Sequence, residues 1–381
     1  MRIAIVGGAL QGMEAVYLAK KAGFETLAID KRDNAPALSL SDEHEVLDPS
    51  VQKKKAMKLF EDCDAVLPAC EDLTLLRALD EMLSSSKIPL LFDIGSYMIS
   101  SSKVESNRMM YESEIPIPTD WPGCGFPVIV KPSSQSGSIG VTVAYNKDDV
   151  DAGLKKIKEI GDLPVIQEFV SGKSVSMEAI GNGREFRSFV TTEIILDGGY
   201  DCKRVRCSPG ILSKEKDDEF KAISEKMAER IGLKALMDVE AIDTAKGLRV
   251  IEIDARIPSQ TPAAVLAATG INLLEELASP KFRKAAAGAS SYEHFVIKDR
   301  TIMTCGEKEF AKVRNPRIAK GLFGSDEMIT DHTPNADVWR GTMINSARSD
   351  GELEKKRARC IERIMSECDL ERFIDTSPEL V

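Results

Sequence analysis

Three carboxylates occur within a short, mainly apolar stretch near residue 250. Glu252 and Asp254 are two positions apart, so on a β-strand both side chains leave the same face of the sheet. Glu240 lies on the preceding apolar run, which antiparallel pairing across residues 244–247 would bring opposite that face. Like charges so close together repel one another unless a cation neutralises them, and oxygen-only ligands suit Mg²⁺. The spacing predicts a magnesium site; the alternative is an acidic edge exposed to solvent.

Lys131 and the loop that follows it form a second candidate site. The lysine ends an apolar run at 127–131, and the loop at 133–140 is rich in serine and glycine, including Ser136 and Ser138. Hydroxyl groups, backbone N–H groups and a buried lysine suit a polyphosphate, over which a flexible loop can close as a lid. Serine- and glycine-rich loops are also ordinary connections, so this loop alone leaves both interpretations open.

A third candidate lies where a predicted strand at 165–170 ends. Its last residues are Glu168, Phe169 and Val170, and Ser174 follows shortly after them. The main chain of an emerging strand presents N–H and C=O groups to the edge of a base, and Glu168 can accept a hydrogen bond from an exocyclic amine. Taken alone, the same pattern is that of any strand that leads into a loop.

Glycines near the N-terminus lie between the first predicted strand and the first predicted helix. Gly7, Gly8 and Gly12 occupy the place of a dinucleotide-binding fingerprint, but Ala9 replaces its middle glycine. Asp30 ends the second predicted strand, where such proteins place a ribose-binding acid. The pattern favours a strand–turn–helix corner whose helix N-terminus faces an anion or a polar substrate. An NAD(P)-dependent oxidoreductase stays an alternative, although it gives the three carboxylates no role.

These candidate residues depend on two kinds of sheet. Up to about Tyr97, short apolar runs alternate with helical patterns, which predicts a doubly wound parallel sheet. Beyond it, strands that follow one another across short turns favour antiparallel pairing. The predicted strands are 2–6, 26–30, 64–68, 88–92, 127–131, 141–144, 165–170, 174–181, 185–196, 235–243 and 248–254. The predicted helices are 11–22, 52–60, 73–83, 103–113, 147–160, 215–231, 262–267, 273–277 and 350–368.

Composition argues against several classes of protein. The chain of 381 residues carries a net charge of −10 and has a pI of about 5.2, which disfavours a nucleic-acid partner because phosphates need a basic surface. No apolar run approaches the roughly 18–20 residues of a membrane span. The eight cysteines form no Cys-x-x-Cys pair and the three histidines lie far apart, so reduced thiols in the cytoplasm are expected rather than a zinc site. The oligomeric state stays open.

The order of the motifs resembles the ATP-grasp superfamily. Along the chain come Lys103, Lys131 with its loop, the strand at 167–170, and then Glu240, Glu252, Asp254 and Arg256. The metal motif of that superfamily usually ends in asparagine, and Asp254 departs from it. The resemblance implies an α/β and α+β multidomain fold. Its parts would be a Rossmann-like parallel-sheet domain at 1–97, a small lid subdomain at 98–172, and a larger antiparallel-sheet subdomain with a C-terminal extension at 173–381.

Within that superfamily, the hairpin resembles the ligase family of pyrrolysine biosynthesis, which joins 3-methyl-D-ornithine to the ε-amine of L-lysine. The resemblance lies in residues 237–242, 247–256 and 258–262, with shorter matches at 7–12, 200–202, 270–273 and 292–294. It accommodates Asp254, which the general superfamily pattern does not. Beyond about Arg300 the resemblance is poor, and no residue role is carried over there.

The resemblance implies a nucleotide site with named contacts. Lys103 and Lys131 would contact the phosphates of ATP, and Ser136 and Ser138 would belong to the lid. The adenine would lie against Glu168, Phe169 and Val170, with Ser174 near the ribose. Glu240, Glu252 and Asp254 would hold Mg²⁺, and Arg256 would steady the transferring phosphoryl group. Lys131 and Arg256 are therefore the expected catalytic residues.

The resemblance also implies two amino-acid sites and a reaction. The ornithine-like substrate would contact Ser176, Glu178, Asp238, Ser259, Gln260 and Thr261, and L-lysine would contact Leu10, Gln11 and Glu71. The substrate carboxylate would attack the γ-phosphorus of ATP, and the lysine amine would then displace phosphate from the acyl phosphate. A ligase for another carboxylate and amine is one alternative. A non-catalytic nucleotide-binding regulator is another, against which the intact set of carboxylates argues.

Overall fold

The computed structural model describes residues 1–137, 139–281, 286–334 and 336–378, which form two compact units. The first unit comprises Met1–Ile94, Thr192–Ile211 and Arg256–Pro378, and the second unit comprises Gly95–Thr191 and Leu212–Ala255. Each unit is therefore discontinuous in sequence. The division into three consecutive domains at 97 and 172 stays a prediction. The predicted fold class is confirmed, because a parallel sheet at the N-terminus is followed by antiparallel sheets.

Helices and strands alternate first and are grouped later in the chain. The helices are α1 Leu10–Lys21, α2 Lys53–Phe60, α3 Leu73–Leu83, α4 Ile94–Ser100, α5 Lys103–Glu112, α6 Lys147–Glu159, α7 Lys214–Ile231, α8 Thr261–Thr269, α9 Leu273–Ala278, α10 Glu307–Phe310 and α11 Asp350–Glu367. The strands are β1 Arg2–Val6, β2 Glu25–Asp30, β3 Glu43–Val46, β4 Ala65–Pro68, β5 Val128–Pro132, β6 Thr142–Ala144, β7 Pro164–Glu168, β8 Lys173–Gly181, β9 Phe186–Ser188, β10 Thr192–Leu196, β11 Cys202–Cys207, β12 Leu236–Thr244, β13 Gly247–Asp254, β14 Ala289–Lys298, β15 Thr301–Thr304, β16 Arg317–Lys320, β17 Glu327–Thr330, β18 Trp339–Ala347 and β19 Arg372–Ile374.

The first unit begins with a parallel sheet in the order β3-β2-β1-β4. Apolar runs with few polar positions, such as β1 and β4, suit strands that are covered on both faces. One core cluster of this region includes Val6, Ile29, Val66 and Phe60, all with no exposed surface. The corner between β1 and α1 is close-packed, because a Cβ on Gly12 would lie 2.0 Å from the Gly7 carbonyl oxygen.

Two details of the parallel sheet differ from the prediction. The predicted strand at 88–92 is reduced to a single parallel bridge between Leu90 and Val66. Pro89 has no backbone N–H group, so it cannot donate a hydrogen bond to a neighbouring strand. The opposite edge of the sheet is formed by β3, whose sequence Glu-His-Glu-Val is largely exposed and carries no apolar pattern from which a strand could be predicted.

The second unit contains two antiparallel sheets. One has the order β6-β5-β7 and is covered by α6, which buries Val150 and Ile157 against Val128 and Val130. The other has the order β13-β12-β8, and β9 pairs with β8. The predicted single strand at 185–196 is thus wrong: it is two strands, β9 in this unit and β10 in the first unit.

The rest of the first unit is a mainly antiparallel arrangement in the order β10-β11-β14-β18-β17-β16. In addition, β15 pairs antiparallel with β14, and β19 pairs parallel with β15. Most of it follows residue 288, where the sequence carries few signals of secondary structure. The predicted helix at 350–368 is confirmed as α11, which buries Leu353, Cys360 and Ile364. Across the described ranges, none of the helices combines the length and the apolar character needed to cross a membrane.

Candidate active site

Strand register gathers acidic side chains on one face of the second unit. Glu240 lies directly opposite Glu252, and Asp238 lies opposite Asp254 in the β12–β13 pair. On the other side of β12, Glu178 of β8 lies opposite Asp238, and Ser176 lies opposite Glu240. Side chains paired across neighbouring strands share a face, and residues two apart along a strand do so as well. The register therefore brings together five of the acidic residues expected at the site.

Two buried lysines lie beside this acidic face. The Lys103 Nζ is 2.6 Å from Glu252 Oε1 and donates to the Gln135 carbonyl oxygen at 2.7 Å. The Lys131 Nζ donates to the Ile251 carbonyl oxygen at 3.3 Å. Burial lowers the pKa of Lys131 to about 8, with a smaller contribution from Lys103, while Glu252 and Glu240 partly offset the decrease. The two lysines thus place positive charge where phosphates could be bound.

The carboxylates form a set of oxygen donors rather than a preformed cluster. Within the described ranges, no three His, Cys, Asp or Glu side chains lie close enough together to hold a metal ion. The cross-strand pair Glu240 and Glu252 nevertheless places like charges opposite each other, which is unfavourable without a cation. Lys103 supplies one such cation through its ion pair with Glu252. Carboxylate oxygens are ligands that suit Mg²⁺. The donor set is therefore compatible with the magnesium assignment, which stays a prediction.

The loop after β5 is fixed where it begins. The Lys103 N–H donates to the Ser133 carbonyl oxygen at 2.9 Å, and the Ser134 hydroxyl donates to Asp162 Oδ2 at 2.7 Å. Further along, Gly137 has a positive φ of 58°, which permits a tight turn. Ser136 is part of this loop, whereas Ser138 lies outside the described residues. The role of the loop as a lid stays a prediction.

The strand end predicted to receive adenine is β7 and the residues after it. The Glu168 N–H donates to the Thr119 carbonyl oxygen at 2.8 Å, and Glu168 Oε2 accepts from the Thr119 N–H at 3.3 Å. The Phe169 N–H donates to the Pro127 carbonyl oxygen at 3.1 Å. These bonds fix the direction in which the chain leaves the sheet toward Val170. Ser174 follows on β8, opposite Ile242 of β12.

Ser176, Glu178 and Asp238 form the most deeply buried part of the acidic face. Glu178 is 0% exposed, Ser176 is 0% exposed and Asp238 is 4% exposed. The Ser176 hydroxyl donates to Asp238 Oδ1, and the Phe189 N–H donates to the Glu178 carbonyl oxygen. This end of the acidic face therefore holds two carboxyl groups that have almost no contact with solvent.

Other predicted site residues belong to the first unit. The Gln11 amide donates to Glu71 Oε1 at 3.0 Å, and Arg256 Nη2 forms an ion pair with the same oxygen at 2.6 Å. Glu71 thus joins α1, which begins at Leu10, to the segment after β13. The structure therefore brings Arg256 together with the residues expected to bind lysine.

Asp30 is engaged within the β1–α1 corner. Its Oδ2 accepts from the Gly8 N–H at 2.6 Å, and its Oδ1 accepts from the Arg32 backbone and side chain. Burial raises the pKa of Asp30, but the hydrogen bonds from Arg32 and Gly8 outweigh it, so the net shift is downward. The carboxylate has a structural role here, whatever ligand approaches the corner.

The pocket loop, residues 259–261, depends on an acid that sequence reasoning did not identify. Gln260 has a positive φ of 71°, and its amide donates to Glu307 Oε1 at 2.8 Å. The Ser259 hydroxyl donates to the same carboxylate, and burial raises the pKa of Glu307. Thr261 begins α8, where the Ala263 N–H donates to Glu14 Oε1 at 2.9 Å. Neither Glu307 nor Glu14 lies in a motif whose spacing points to a site.

Two domain families match the chain in succession. Residues 3–91 match the PylC-like N-terminal domain, and residues 100–260 match the ATP-grasp domain. The glycine corner thus falls in the first match, and the acidic face and both lysines fall in the second. These matches supersede the oxidoreductase alternative for the corner.

Similar proteins of assigned activity cover most of the chain. A 3-methyl-D-ornithine–L-lysine ligase of Methanosarcina acetivorans is 35% identical over 321 residues, which are 80% of this chain and 83% of that protein. The ligase of the same designation from Methanosarcina barkeri is 38% identical over 275 residues, which are 72% of each chain.

Solved structures support the same fold at low sequence identity. The biotin carboxylase domain of Hydrogenobacter thermophilus 2-oxoglutarate carboxylase has a TM-score of 0.73 at 15% identity, covering 95% of this chain and 89% of its own. The ADP complex of N5-carboxyaminoimidazole ribonucleotide synthetase has a TM-score of 0.70 at 15% identity, covering 96% of this chain and 97% of its own.

Proposed function

Because the chain belongs to the family of ATP-grasp ligases that includes the 3-methyl-D-ornithine–L-lysine ligases, we propose that it joins these same two amino acids. Its substrates are ATP, 3-methyl-D-ornithine and L-lysine. The product carries an amide between the ornithine carboxyl carbon and the lysine ε-nitrogen. The relatives' names supply the substrate pair, and the buried acids of β8 and β12 support it.

The observation that carries the substrate class is the opposed pair of Glu178 and Asp238. These two side chains are 0% and 4% exposed, and they lie on the same face as Glu240 and Glu252. A diamino acid has two ammonium groups at neutral pH, one of which remains far from the reacting carboxyl group. Buried carboxylates suit such a cation and disfavour an apolar side chain of similar size.

The reaction begins with phosphoryl transfer. An oxygen of the ornithine carboxylate attacks the γ-phosphorus of ATP, and the bond between that phosphorus and the β,γ-bridging oxygen breaks. The products of this step are ADP and the acyl phosphate of ornithine. Lys103 and Lys131 offset the charge on the phosphates, and Arg256 steadies the transferring group. Glu168, Phe169 and Val170 orient the adenine. When bound to Glu240, Glu252 and Asp254, Mg²⁺ supplies further charge neutralisation.

The second step forms the amide. The neutral ε-amine of lysine, positioned by Leu10, Gln11 and Glu71, attacks the acyl carbon. The bond to the phosphate oxygen breaks, inorganic phosphate leaves, and this phosphate takes up the proton that the attacking nitrogen loses. Ser136 and the rest of the lid exclude water, which would otherwise hydrolyse the acyl phosphate. Ser176, Ser259, Gln260 and Thr261 hold the ornithine backbone and side chain.

The test is ADP release from purified protein with ATP and Mg²⁺. D-ornithine and lysine are added singly and together, and the product mass is recorded. We expect ADP release that requires D-ornithine, and a dipeptide linked through the lysine ε-amine when both are present. ADP release with a different amino-acid pair would retain an ATP-grasp ligase but reject this substrate assignment.

A further inference from the structure

A short segment near the C-terminus, residues 375–377, which we call the strap, surrounds a buried lysine. Asp375 accepts hydrogen bonds from Lys203 Nζ at 2.6 Å, from Thr304 Oγ1 at 2.9 Å and from Arg357 Nη2 at 2.8 Å. Lys203 also donates to the Thr376 carbonyl oxygen and lies 3.5 Å from the Ser377 hydroxyl. Asp375 is therefore a point at which three elements meet: β11, β15 and α11.

Lys203 depends on the strap for its charge balance. Its side chain is only 4% exposed, and in the described part of the chain its hydrogen-bond acceptors all lie in residues 375–377. An ammonium group buried without acceptors or a counter-charge is strongly unfavourable. Removal of the Asp375 charge would therefore displace Lys203 toward solvent. That movement would also shift Cys202, whose carbonyl oxygen accepts from the Gln260 amide at 3.4 Å.

The strap also contacts the turn at 197–201, between β10 and β11. The Gly198 N–H donates to Thr376 Oγ1 at 3.3 Å. From this turn, Asp197 accepts from the Gly306 N–H at 2.9 Å and Asp201 accepts from the Lys308 N–H at 2.8 Å. The turn therefore fixes the backbone on both sides of Glu307. The packing is close, because a Cβ on Gly306 would lie 2.4 Å from the Asp201 side chain.

Glu307 completes a continuous path of contacts from the strap to the pocket loop. Its carboxylate accepts from the Ser259 hydroxyl and from the Gln260 amide at 2.8 Å. Gln260 holds a positive φ of 71°, a conformation that a residue with a side chain adopts only when its surroundings impose it. Each contact on this path lies within the first unit.

We propose that the strap holds the pocket loop in its substrate-binding conformation, with Asp375 as the positioning residue. Asp375 acts through Lys203 and Cys202 on one side, and through the 197–201 turn and Glu307 on the other. It does not touch substrate. The inference rests on the proposed function for the role of the pocket loop, but the path itself is independent of which amino acids bind.

The test compares Asp375→Asn with Asp326→Asn. Asp326 accepts from Lys356 and from the Ser346 N–H and hydroxyl in the same unit, so it is a matched acid that lies off the path. In Asp375→Asn we expect the KM of at least one amino acid to rise about fivefold or more, because the loop loses its support. The KM of ATP should change less than twofold. Asp326→Asn should leave all three KM values unchanged.

A second measurement does not depend on catalysis. The backbone N–H groups of Gly306 and Lys308 donate hydrogen bonds to the 197–201 turn. Their hydrogen exchange should be faster in Asp375→Asn and unchanged in Asp326→Asn. If Asp375→Asn fails to fold, Thr376→Val serves instead, because it removes only the hydroxyl that Gly198 contacts. A weaker effect in the same direction is then expected.

The outcomes separate the two proposals. Unchanged amino-acid KM values together with unchanged exchange at Gly306 and Lys308 would overturn the role of the strap. An ATP KM that rises as much as the amino-acid KM would also overturn it, since that result indicates general loosening. If the wild-type protein releases no ADP with D-ornithine and lysine, the proposed function fails, and the exchange experiment still decides the role of the strap.

Discussion

Lys103 and Lys131 are buried to similar extents, at 7% and 9% exposed, but their charges are compensated differently. Lys103 forms an ion pair with Glu252 at 2.6 Å, whereas Lys131 bonds a backbone carbonyl oxygen at 3.3 Å. Burial therefore lowers the pKa of Lys131 to about 8, which leaves it mainly protonated at neutral pH. A polyphosphate would add to the negative charge that Glu252 and Glu240 supply only in part. We infer that Lys131 is the lysine whose protonation limits nucleotide binding.

This inference predicts a pH dependence of ATP binding. Above pH 8 the free protein must take up a proton at Lys131 before it binds phosphate, so the apparent affinity should fall by up to about tenfold per pH unit. Below pH 8 the group is charged and the affinity should be level. Isothermal titration with a non-hydrolysable ATP analogue between pH 6.5 and 9.5 measures this.

The matched variants are Lys131→Arg and Lys131→Met. Arginine stays protonated over the whole range and should abolish the alkaline decrease. Methionine should weaken binding by about 10- to 100-fold at pH 6.5, and its affinity should then stay level as the pH rises. An alkaline decrease of the same size in Lys131→Met would show that another group is responsible.

Glu252 supports a prediction about turnover. Glu252→Gln keeps the side-chain volume but removes a charge that faces both Glu240 and Lys103. Turnover should fall by about 100-fold or more without loss of the fold, because the proposed metal ligand and the ion-pair partner of Lys103 are lost together. ADP release over a titration of Mg²⁺, with circular dichroism as a check on folding, measures this.

Glu229→Gln provides the control for that experiment. Glu229 is exposed on α7, so this change removes the same charge from a solvated helix surface and should leave turnover unchanged. Full activity of Glu252→Gln at limiting Mg²⁺ would reject the metal assignment.

At the scale of elements, the predictions succeeded where local spacing determines position. Alternation along β13 places Glu252 and Asp254 on one face, and the short turn to β12 fixes the register that brings Glu240 opposite Glu252. Buried apolar runs likewise identified β1, β2 and β4. In these cases the information lies within a few residues of the chain.

The predictions failed where distant parts of the chain determine position. The edge strand β3 is charged and pairs only because β2 offers an open edge. Glu307 meets Ser259 and Gln260 from a position almost 50 residues along the chain. No periodicity encodes such a contact, and the family resemblance was weak in that region. The residues that support the pocket loop were therefore not predictable from sequence.

The corner between β1 and α1 supports a stability prediction. In Gly12→Ala the added Cβ would lie 2.0 Å from the Gly7 carbonyl oxygen, so the helix must move away from the strand. We expect the free energy of unfolding to fall by about 1–3 kcal/mol, as for other overpacked sites. Urea denaturation followed by fluorescence measures this.

Gly351→Ala is the matched control for the corner. Gly351 lies in the first turn of α11 with open space where a Cβ would be, so this change should be neutral or slightly stabilising. Equal stability of the two variants would mean that the corner can relax at little cost.

For the whole molecule, the contrast between global and local charge matters. The net charge is −10, yet two buried lysines lie together beside the acidic face of the second unit. An acidic protein binds an anionic nucleotide only where such local cations, backbone N–H groups or a divalent ion oppose its overall field. We therefore expect nucleotide binding to depend on these local groups and not on the net charge of the protein, which repels an anion.

Ligand-linked stability distinguishes the nucleotide classes in the intact protein. ATP with Mg²⁺ should stabilise the fold by about 2.7 kcal/mol at a concentration of 100 times Kd, because the ligand binds only the folded state. NADH and NADPH at the same concentration should not raise the melting temperature. Stabilisation by NADPH but not by ATP with Mg²⁺ would contradict the ligase assignment for the nucleotide site.

The interleaved order of the two units has a consequence for synthesis on the ribosome. The first unit begins with Met1–Ile94 but needs Thr192–Ile211 and Arg256–Pro378 to complete it, whereas the segments of the second unit end at Ala255. The unit that starts first is therefore completed last. A nascent chain that has reached Ala255 contains every segment of the second unit, whereas the first unit still lacks residues 256–378. This is therefore the stage at which a chaperone would be most useful.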